Sequence, residues 1–176
     1  GRLLASAWIS LHSSPAVTQY ALFVSRDIAA VFAKRLTMFV LRSKVTVRDM
    51  SEAWSIYGAL EPIAQALPHL PADAIALAMQ TPEDSNLMKR IVFASQMTVD
   101  AQANASAWNM AEVLSGIPRI VAATQDQFVP QMVNLESVGG VDFKKGCYPG
   151  QEVVARSQYR GAIKRRLFLA KAQTPI

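Results

Sequence analysis

The sequence predicts an α+β fold in which antiparallel sheets pack against helices. Segments with strand-like alternation are interspersed with segments of helical periodicity, and short turn-forming stretches separate them. The chain has 176 residues, 51% hydrophobic and 18% charged, which is enough apolar sequence to form a core and excludes a disordered chain. No apolar run reaches the roughly 18–20 residues that cross a bilayer, so no membrane partner is expected.

The first forty residues contain a predicted hairpin and a predicted helix. Residues 3–12 alternate with period two, which indicates a half-buried strand, and residues 19–24 supply a pairing strand after the Ser13-Ser14-Pro15 turn. A spacing of three and four then predicts an amphipathic helix, with Ser25 as N-cap and Asp27 at the positive end of its dipole. Its apolar positions are Ile28, Val31, Phe32, Leu36, Phe39 and Val40.

The remaining elements are shorter. Strands are predicted over residues 45–47, 54–60, 74–79 and 90–94, with a proline-rich loop from Pro62 to Pro71 and a turn at residues 81–84. The clearest helix covers residues 104–115, with an inner face of Trp108, Ala111 and Leu114, and Gly116 ends it. A second short helix is predicted over residues 151–156 and a further strand over residues 165–171.

Charge and cysteine usage restrict the chemistry. The net charge of the chain is +5, and the segment from Lys144 to Arg166 alone carries +6. This segment either binds an anionic partner or forms a solvated surface. Cys147 is the only cysteine, which favours a reducing, cytoplasmic compartment and excludes an internal disulfide or a cluster held by this chain alone. His12 and His69 form no metal-ligand pair, so no metal site is predicted, and no G-x-S-x-G accompanies either histidine.

One octapeptide carries most of the functional information. Residues 145–152 read Lys-Gly-Cys-Tyr-Pro-Gly-Gln-Glu, in which two glycines and a proline surround the lone thiol. Glycine permits positive φ or close approach of a ligand, and proline stiffens a turn. With a helix beginning near Gln151, Cys147 lies just before a helix N-terminus. From composition alone, a functional thiol and a buried packing cysteine both stay open.

This octapeptide closely resembles the K-G-C-[FYW]-x-G-Q-E signature of the YgfZ family. The likeness extends over residues 116–166, through Gly116-Ile-Pro118, Phe128-Val-Pro130-Gln131, Asn134-Leu135, Gly139-Gly140-Val141, Val154-Ala155-Arg156 and Tyr159-Arg160-Gly161, and is more diffuse over residues 1–60. Members of that family are folate-binding proteins linked to iron–sulfur enzyme maintenance and tRNA modification, structurally related to the aminomethyltransferase (T-protein) of the glycine cleavage system. The resemblance therefore implies an aminomethyltransferase-like fold and tetrahydrofolate, or a derivative, as cofactor.

The resemblance also implies roles for individual residues. Cys147 corresponds to the functional, candidate catalytic cysteine, and Lys145, Gly146 and Gly150 complete its motif. The candidate folate-binding residues are Glu136, Tyr148, Gln151, Glu152 and Arg156. Whether Tyr148 stacks on a ring or packs in the core stays open, as does whether Glu152 orients a donor or caps a turn.

Glu136 is singled out by its segment, Asn134-Leu135-Glu136. In the related transferases a glutamate in a comparable place binds the pterin ring, and a carboxylate can accept paired N–H bonds from an aminopterin edge. The catalytic aspartate of those transferases has no counterpart that we can place, because Asp49 and Asp100 have the character of turn or surface carboxylates.

The resemblance divides the chain into three parts. Residues 1–103 correspond to a folate-binding-like subdomain, residues 104–163 to a helix and the motif loop, and residues 164–176 to the start of a C-terminal β-barrel. Family members are about twice as long, so the chain is expected to be the middle of such a protein. The implied function is a folate-binding accessory role toward iron–sulfur proteins or their assembly factors. A one-carbon transferase activity is the first alternative. The second is an RNA-binding module, with tRNA or a tRNA-modifying enzyme as partner.

Overall fold

The computed structural model describes residues 1–13, 17–60, 70–79, 89–100, 105–161 and 163–173. Its elements follow the order β1 (Ala7–Ser13), β2 (Thr18–Val24), α1 (Arg26–Met38), β3 (Ser55–Leu60), β4 (Ile75–Met79), β5 (Arg90–Ser95), α2 (Ala105–Ser115) and α3 (Gln151–Tyr159). Two 3-10 helices, Ala122–Thr124 and Pro130–Val133, lie between α2 and α3. The strands form two antiparallel sheets, which confirms the α+β prediction. In the described part of the chain no helix is long and apolar enough to cross a membrane.

The β1–β2 hairpin packs on the core through the face of β1 that carries Trp8 and Ser10. Ile9 pairs with Leu22 and Leu11 with Tyr20, and all four of these side chains are exposed. The opposite face carries the buried Ser10 and Phe23, and the hydroxyl of Ser10 lies 3.0 Å from His12 Nε2. The period-two alternation correctly predicts the strand, but the more polar face of β1 is the one that packs inward.

The three-stranded sheet has β5 at its centre, paired with β3 on one side and β4 on the other. Every residue of β5 is buried, as expected for a central strand covered on both faces. Tyr57 and Phe93 are cross-strand partners with stacked rings 5.2 Å apart. The main core lies between this sheet and the hairpin and contains Phe23, Met79, Val92 and Ala94, with Trp8, Trp54 and Trp108 packed around it.

Helix α1 is anchored by Ile28 and Ala29, its two buried residues. Val31 is exposed and the helix ends at Met38, so the predicted apolar face extends too far. Ser25 occupies the N-cap position but makes no capping bond through its side chain. The carboxylate of Asp27 instead accepts a hydrogen bond of 2.8 Å from the backbone N–H of Ala122, which ties α1 to the second half of the chain.

Helix α2 packs on β3 through Trp108, on the face of the sheet that carries the core. The ring of Trp108 covers Gly58, whose missing Cβ would lie 2.5 Å from the indole Cζ3. The guanidinium of the buried Arg90 lies 5.6 Å from the same ring, and burial lowers the pKa of Arg90 against the opposing effect of Glu112. The buried positions of α2 are Ala111 and Ser115, so Leu114, which is 42% exposed, was wrongly assigned to the inner face.

Two predicted strands are absent from the described residues. Residues 45–47 are irregular, because Val45 is exposed and its N–H bonds the nearby carbonyl of Ser43 rather than a neighbouring strand. Residues 165–171 are also irregular, because the side chains of this segment contact a loop and no strand pairs with its backbone. The proline-rich stretch before residue 70, the turn at residues 81–84 and the start of the 104–115 helix lie outside the described residues.

The N-terminal residues 2–6 are bonded to residues 120–128. Leu3 exchanges backbone hydrogen bonds with Asp126 and Phe128, and the Gln125 amide donates to the carbonyl of Leu4. The Arg2 guanidinium donates to the carbonyl of Gln127 at 2.6 Å. The first strand is thereby fixed against the half of the chain that carries the octapeptide.

Asp73 joins the turn before β4 to the end of β5, and this contact predicts a pH dependence of stability. Its carboxylate accepts bonds from the Ser95 hydroxyl at 2.6 Å and the Gln96 N–H at 2.7 Å, and these bonds lower the pKa of Asp73 below its ordinary 3.8. A lowered folded-state pKa means that the contribution is complete above 3.8 and is lost as the pH falls through the folded value.

Asp73→Asn should therefore be less stable than the parent at neutral pH, and the difference should shrink below about pH 4. The urea midpoints of both proteins, determined at a series of pH values, measure this difference in stability. Asp126→Asn, which removes an exposed carboxylate, is the control. A difference that stays constant with pH would contradict the assigned role of the Asp73 charge.

Candidate functional site

The octapeptide forms an exposed turn that leads into α3. Gly150 is the N-cap of α3 and adopts the left-handed region with φ 82°, a conformation that a residue with a Cβ would adopt only under strain. The N–H of Gln151 donates to the carbonyl of Tyr148, and the Gln151 side chain accepts a bond from the Tyr148 N–H at 3.4 Å. Gln151 thus closes the turn, and its role in folate binding stays a prediction.

Cys147 lies at the exposed part of this turn with a free thiol. Lys145 reaches back over the Tyr148 ring, with its Nζ 4.5 Å from the ring centroid. Tyr148 is half-buried, while Gly146 has open space around it. An exposed thiol beside a cation and a free backbone face is accessible to a reactive electrophile or to a partner protein.

A buried glutamine forms a hydrogen bond with the backbone of α3. Gln131 belongs to the 3-10 helix Pro130–Val133 and is fully buried. Its amide donates to the carbonyl of Val154, the buried residue of α3, at 2.9 Å. The amide oxygen has no partner. Gln131 therefore fixes α3, and with it the octapeptide turn, to the segment that continues into Asn134 and Glu136.

Glu136 lies in a cluster with Asn134 and Arg166. The Glu136 side chain is only 14% exposed, and its Oε1 is 2.5 Å from Arg166 Nη1. The same Nη1 donates to Asn134 Oδ1 at 3.0 Å, and Asn134 Nδ2 donates to the carbonyl of Leu167 at 2.8 Å. The second carboxylate oxygen, Oε2, is buried and finds no hydrogen-bond partner among the described residues. An unsatisfied buried acceptor of this kind is a place where a ligand donor can bind.

The remaining predicted site residues lie on exposed surface. Glu152 is in the first turn of α3, where its charge suits the helix dipole, and Arg156 is in the last turn. The exposed Tyr159 contacts Phe143 edge to face, with ring centroids 6.2 Å apart. Among the described residues, no group of three or more His, Cys, Asp or Glu side chains is gathered in a way that could hold a metal ion.

Comparison with known proteins finds no protein-family model that matches the sequence. A Haemophilus influenzae protein named only "Uncharacterized protein" is 31% identical over 158 residues. The match covers 89% of this chain and 52% of that protein. The chain therefore spans about half the length of this curated relative.

The structure brings the predicted site residues into two groups. Tyr148 contacts both Lys145 and Gln151 in the octapeptide turn, whereas Glu136 pairs with Arg166. Within the described part of the chain no hydrogen bond or ion pair joins Glu136 to Cys147, and Gln131 links their segments instead.

Sequence reasoning missed the specific roles of Gln131, Asn134 and Arg166. Arg166 was counted only within the basic segment, since nothing local pairs it with a glutamate thirty positions earlier. A polar residue directly after Pro130, in an otherwise apolar run, was the available signal for Gln131.

Proposed function

We propose that this chain is the folate-binding part of an accessory protein that supports assembly or repair of iron–sulfur enzymes, including enzymes of tRNA modification. Its fold is of the aminomethyltransferase type, and tetrahydrofolate or a derivative binds at Glu136. Cys147 acts at the edge of that site, on a one-carbon electrophile or on the client protein.

The observation that carries the proposal is the Glu136 carboxylate. It is largely removed from solvent and paired with a cation, yet no residue in the described part of the chain bonds its Oε2. The pterin ring of a folate carries adjacent N–H donors, and a carboxylate is the acceptor that such an edge requires. The residues present therefore fit the cofactor at this position.

The exposure of Cys147 supports the second part of the proposal. A lone cysteine that served packing would be buried, but this thiol is exposed in a turn built by glycine and proline. An exposed turn can meet a protein client directly. Lys144 and Lys145 beside it add positive charge that suits an acidic partner surface.

Glu136→Gln should weaken tetrahydrofolate binding by about tenfold to a hundredfold, because a hydrogen bond to a charged acceptor contributes about 1.5–3 kcal/mol. Isothermal calorimetry on the protein measures the dissociation constant. Glu52→Gln is the matched control, since it removes a carboxylate that is 91% exposed and pairs with Arg26 at the surface. No heat from the parent protein at millimolar ligand would contradict folate binding, and equal affinity of Glu136→Gln would contradict the site.

A further inference from the structure

The contact between Arg166 and Glu136 has an uncommon geometry for an arginine–carboxylate pair. Such pairs often form two parallel bonds, one to each carboxylate oxygen. Here a single nitrogen, Nη1, donates both to Glu136 Oε1 and to Asn134 Oδ1. Because the guanidinium approaches one oxygen only, the other oxygen is left without a donor.

Asn134 fixes the direction of this approach. It lies in the left-handed region with φ 54°, a conformation that asparagine tolerates better than most residues. Its amide nitrogen donates a hydrogen bond to the Leu167 carbonyl, and its amide oxygen accepts one from Arg166. Residues 134 and 166–167 are thereby joined at two points, and the arginine shares its Nη1 between the Asn134 and Glu136 oxygens.

Glu136 is more buried than the arginine that binds it. The side chains of Glu136 and Arg166 are 14% and 37% exposed. A carboxylate at this depth loses much of its hydration, and removing its cation would leave an uncompensated charge. Without the bond from Arg166 the carboxylate would be free to turn away, and its second oxygen would no longer be held in one direction.

We propose that Arg166 is a positioning residue of the folate site. It holds the Glu136 carboxylate in one orientation through Oε1, so that Oε2 faces the ligand as an acceptor. The ligand class that this arrangement selects is a heterocycle presenting N–H donors at its edge. The inference rests on the proposed folate site and assigns it a residue that does not itself touch the ligand.

Calorimetry with tetrahydrofolate on the parent protein and on Arg166→Met tests this inference. We expect the dissociation constant to rise about tenfold or more in Arg166→Met. Arg166→Lys should restore most of the affinity, because an ammonium can bridge the same two oxygens. Arg165→Met removes the neighbouring exposed cation and should leave the affinity unchanged, which separates positioning from general electrostatic attraction.

A double-mutant cycle distinguishes positioning from a structural role. In the Glu136→Gln background Arg166→Met should cause no further loss of affinity, whereas an arginine that only stabilises the fold would weaken binding in both backgrounds. Urea midpoints verify folding, and Arg166→Gln replaces Arg166→Met if the latter does not fold. Unchanged or tighter binding by the variant, with normal binding by the parent, overturns the positioning role alone. Absence of binding by the parent overturns the folate proposal and this inference with it.

Discussion

Cys147→Ala should fold like the parent chain and fail to sustain iron–sulfur enzymes in cells that lack the native factor. The thiol is exposed and within the described residues makes no hydrogen bond, so removing the sulfur should change the free energy of unfolding by about 1 kcal/mol or less. We therefore expect the variant to lose activity because it lacks the thiol, and not because it unfolds. Activity of a dependent iron–sulfur enzyme in cell extracts, set against unfolding curves of the purified variant, measures both effects.

Two further variants sharpen this experiment. Cys147→Ser keeps a polar atom of similar size but a far weaker nucleophile, and should fail like alanine if the thiol reacts. Ser137→Ala alters an equally small, exposed side chain and should complement fully. Full complementation by Cys147→Ala would show that the thiol is dispensable and would remove Cys147 from the site.

Replacing Gly58 by a residue with a side chain should destabilise the fold strongly, because Trp108 occupies the space that the side chain needs. An added Cβ would lie 2.5 Å from Trp108 Cζ3 and 2.6 Å from Cε3, distances that real side chains do not tolerate. Trp108 also packs against Arg90 and the core, so its ring has little room to move. Gly58→Val should therefore lower the free energy of unfolding by about 2–3 kcal/mol, in the range of overpacked cores.

Urea denaturation provides the measurement, and two comparisons isolate the cause. Gly146→Ala places a methyl group where no atom lies within 4 Å, and should leave stability nearly unchanged. In a Trp108→Leu background the cost of Gly58→Val should fall well below its cost in the parent, because the clashing ring is gone. Equal costs in the two backgrounds would show that the indole is not the source of the strain.

The fold was predictable where a segment determines its own structure. The helix Ala105–Ser115 has a clear period, and the strand Arg90–Ser95 is a short apolar run, so local pattern was sufficient for both. The orientation of β1 was not predictable in this way. Ser10 is buried because it lies opposite β4, where its hydroxyl approaches the Ala76 carbonyl, and this neighbour is 66 positions away.

The site shows the same division. The exposed turn around Cys147 follows from its glycines and proline, which are adjacent in sequence. The pairing of Glu136 with Arg166 depends on an irregular segment returning to a loop thirty residues earlier, and no periodicity or propensity encodes that return. The failed strand prediction at residues 165–171 has the same origin, since a short apolar run forms a strand only beside a partner.

The bonds between residues 2–6 and residues 120–128 have a consequence for the order of folding. They connect positions 114–125 residues apart, and closing a loop of that size costs about 4 kcal/mol of chain entropy before any contact forms. Such long-range contacts raise the contact order and slow folding. The sheets and helices, whose contacts are more local, should form first, and the amides of Leu3 and Asp126 should gain protection from hydrogen exchange only in the last kinetic phase. Residues 120–128, which precede the octapeptide turn, should therefore reach their final position in the last step of folding.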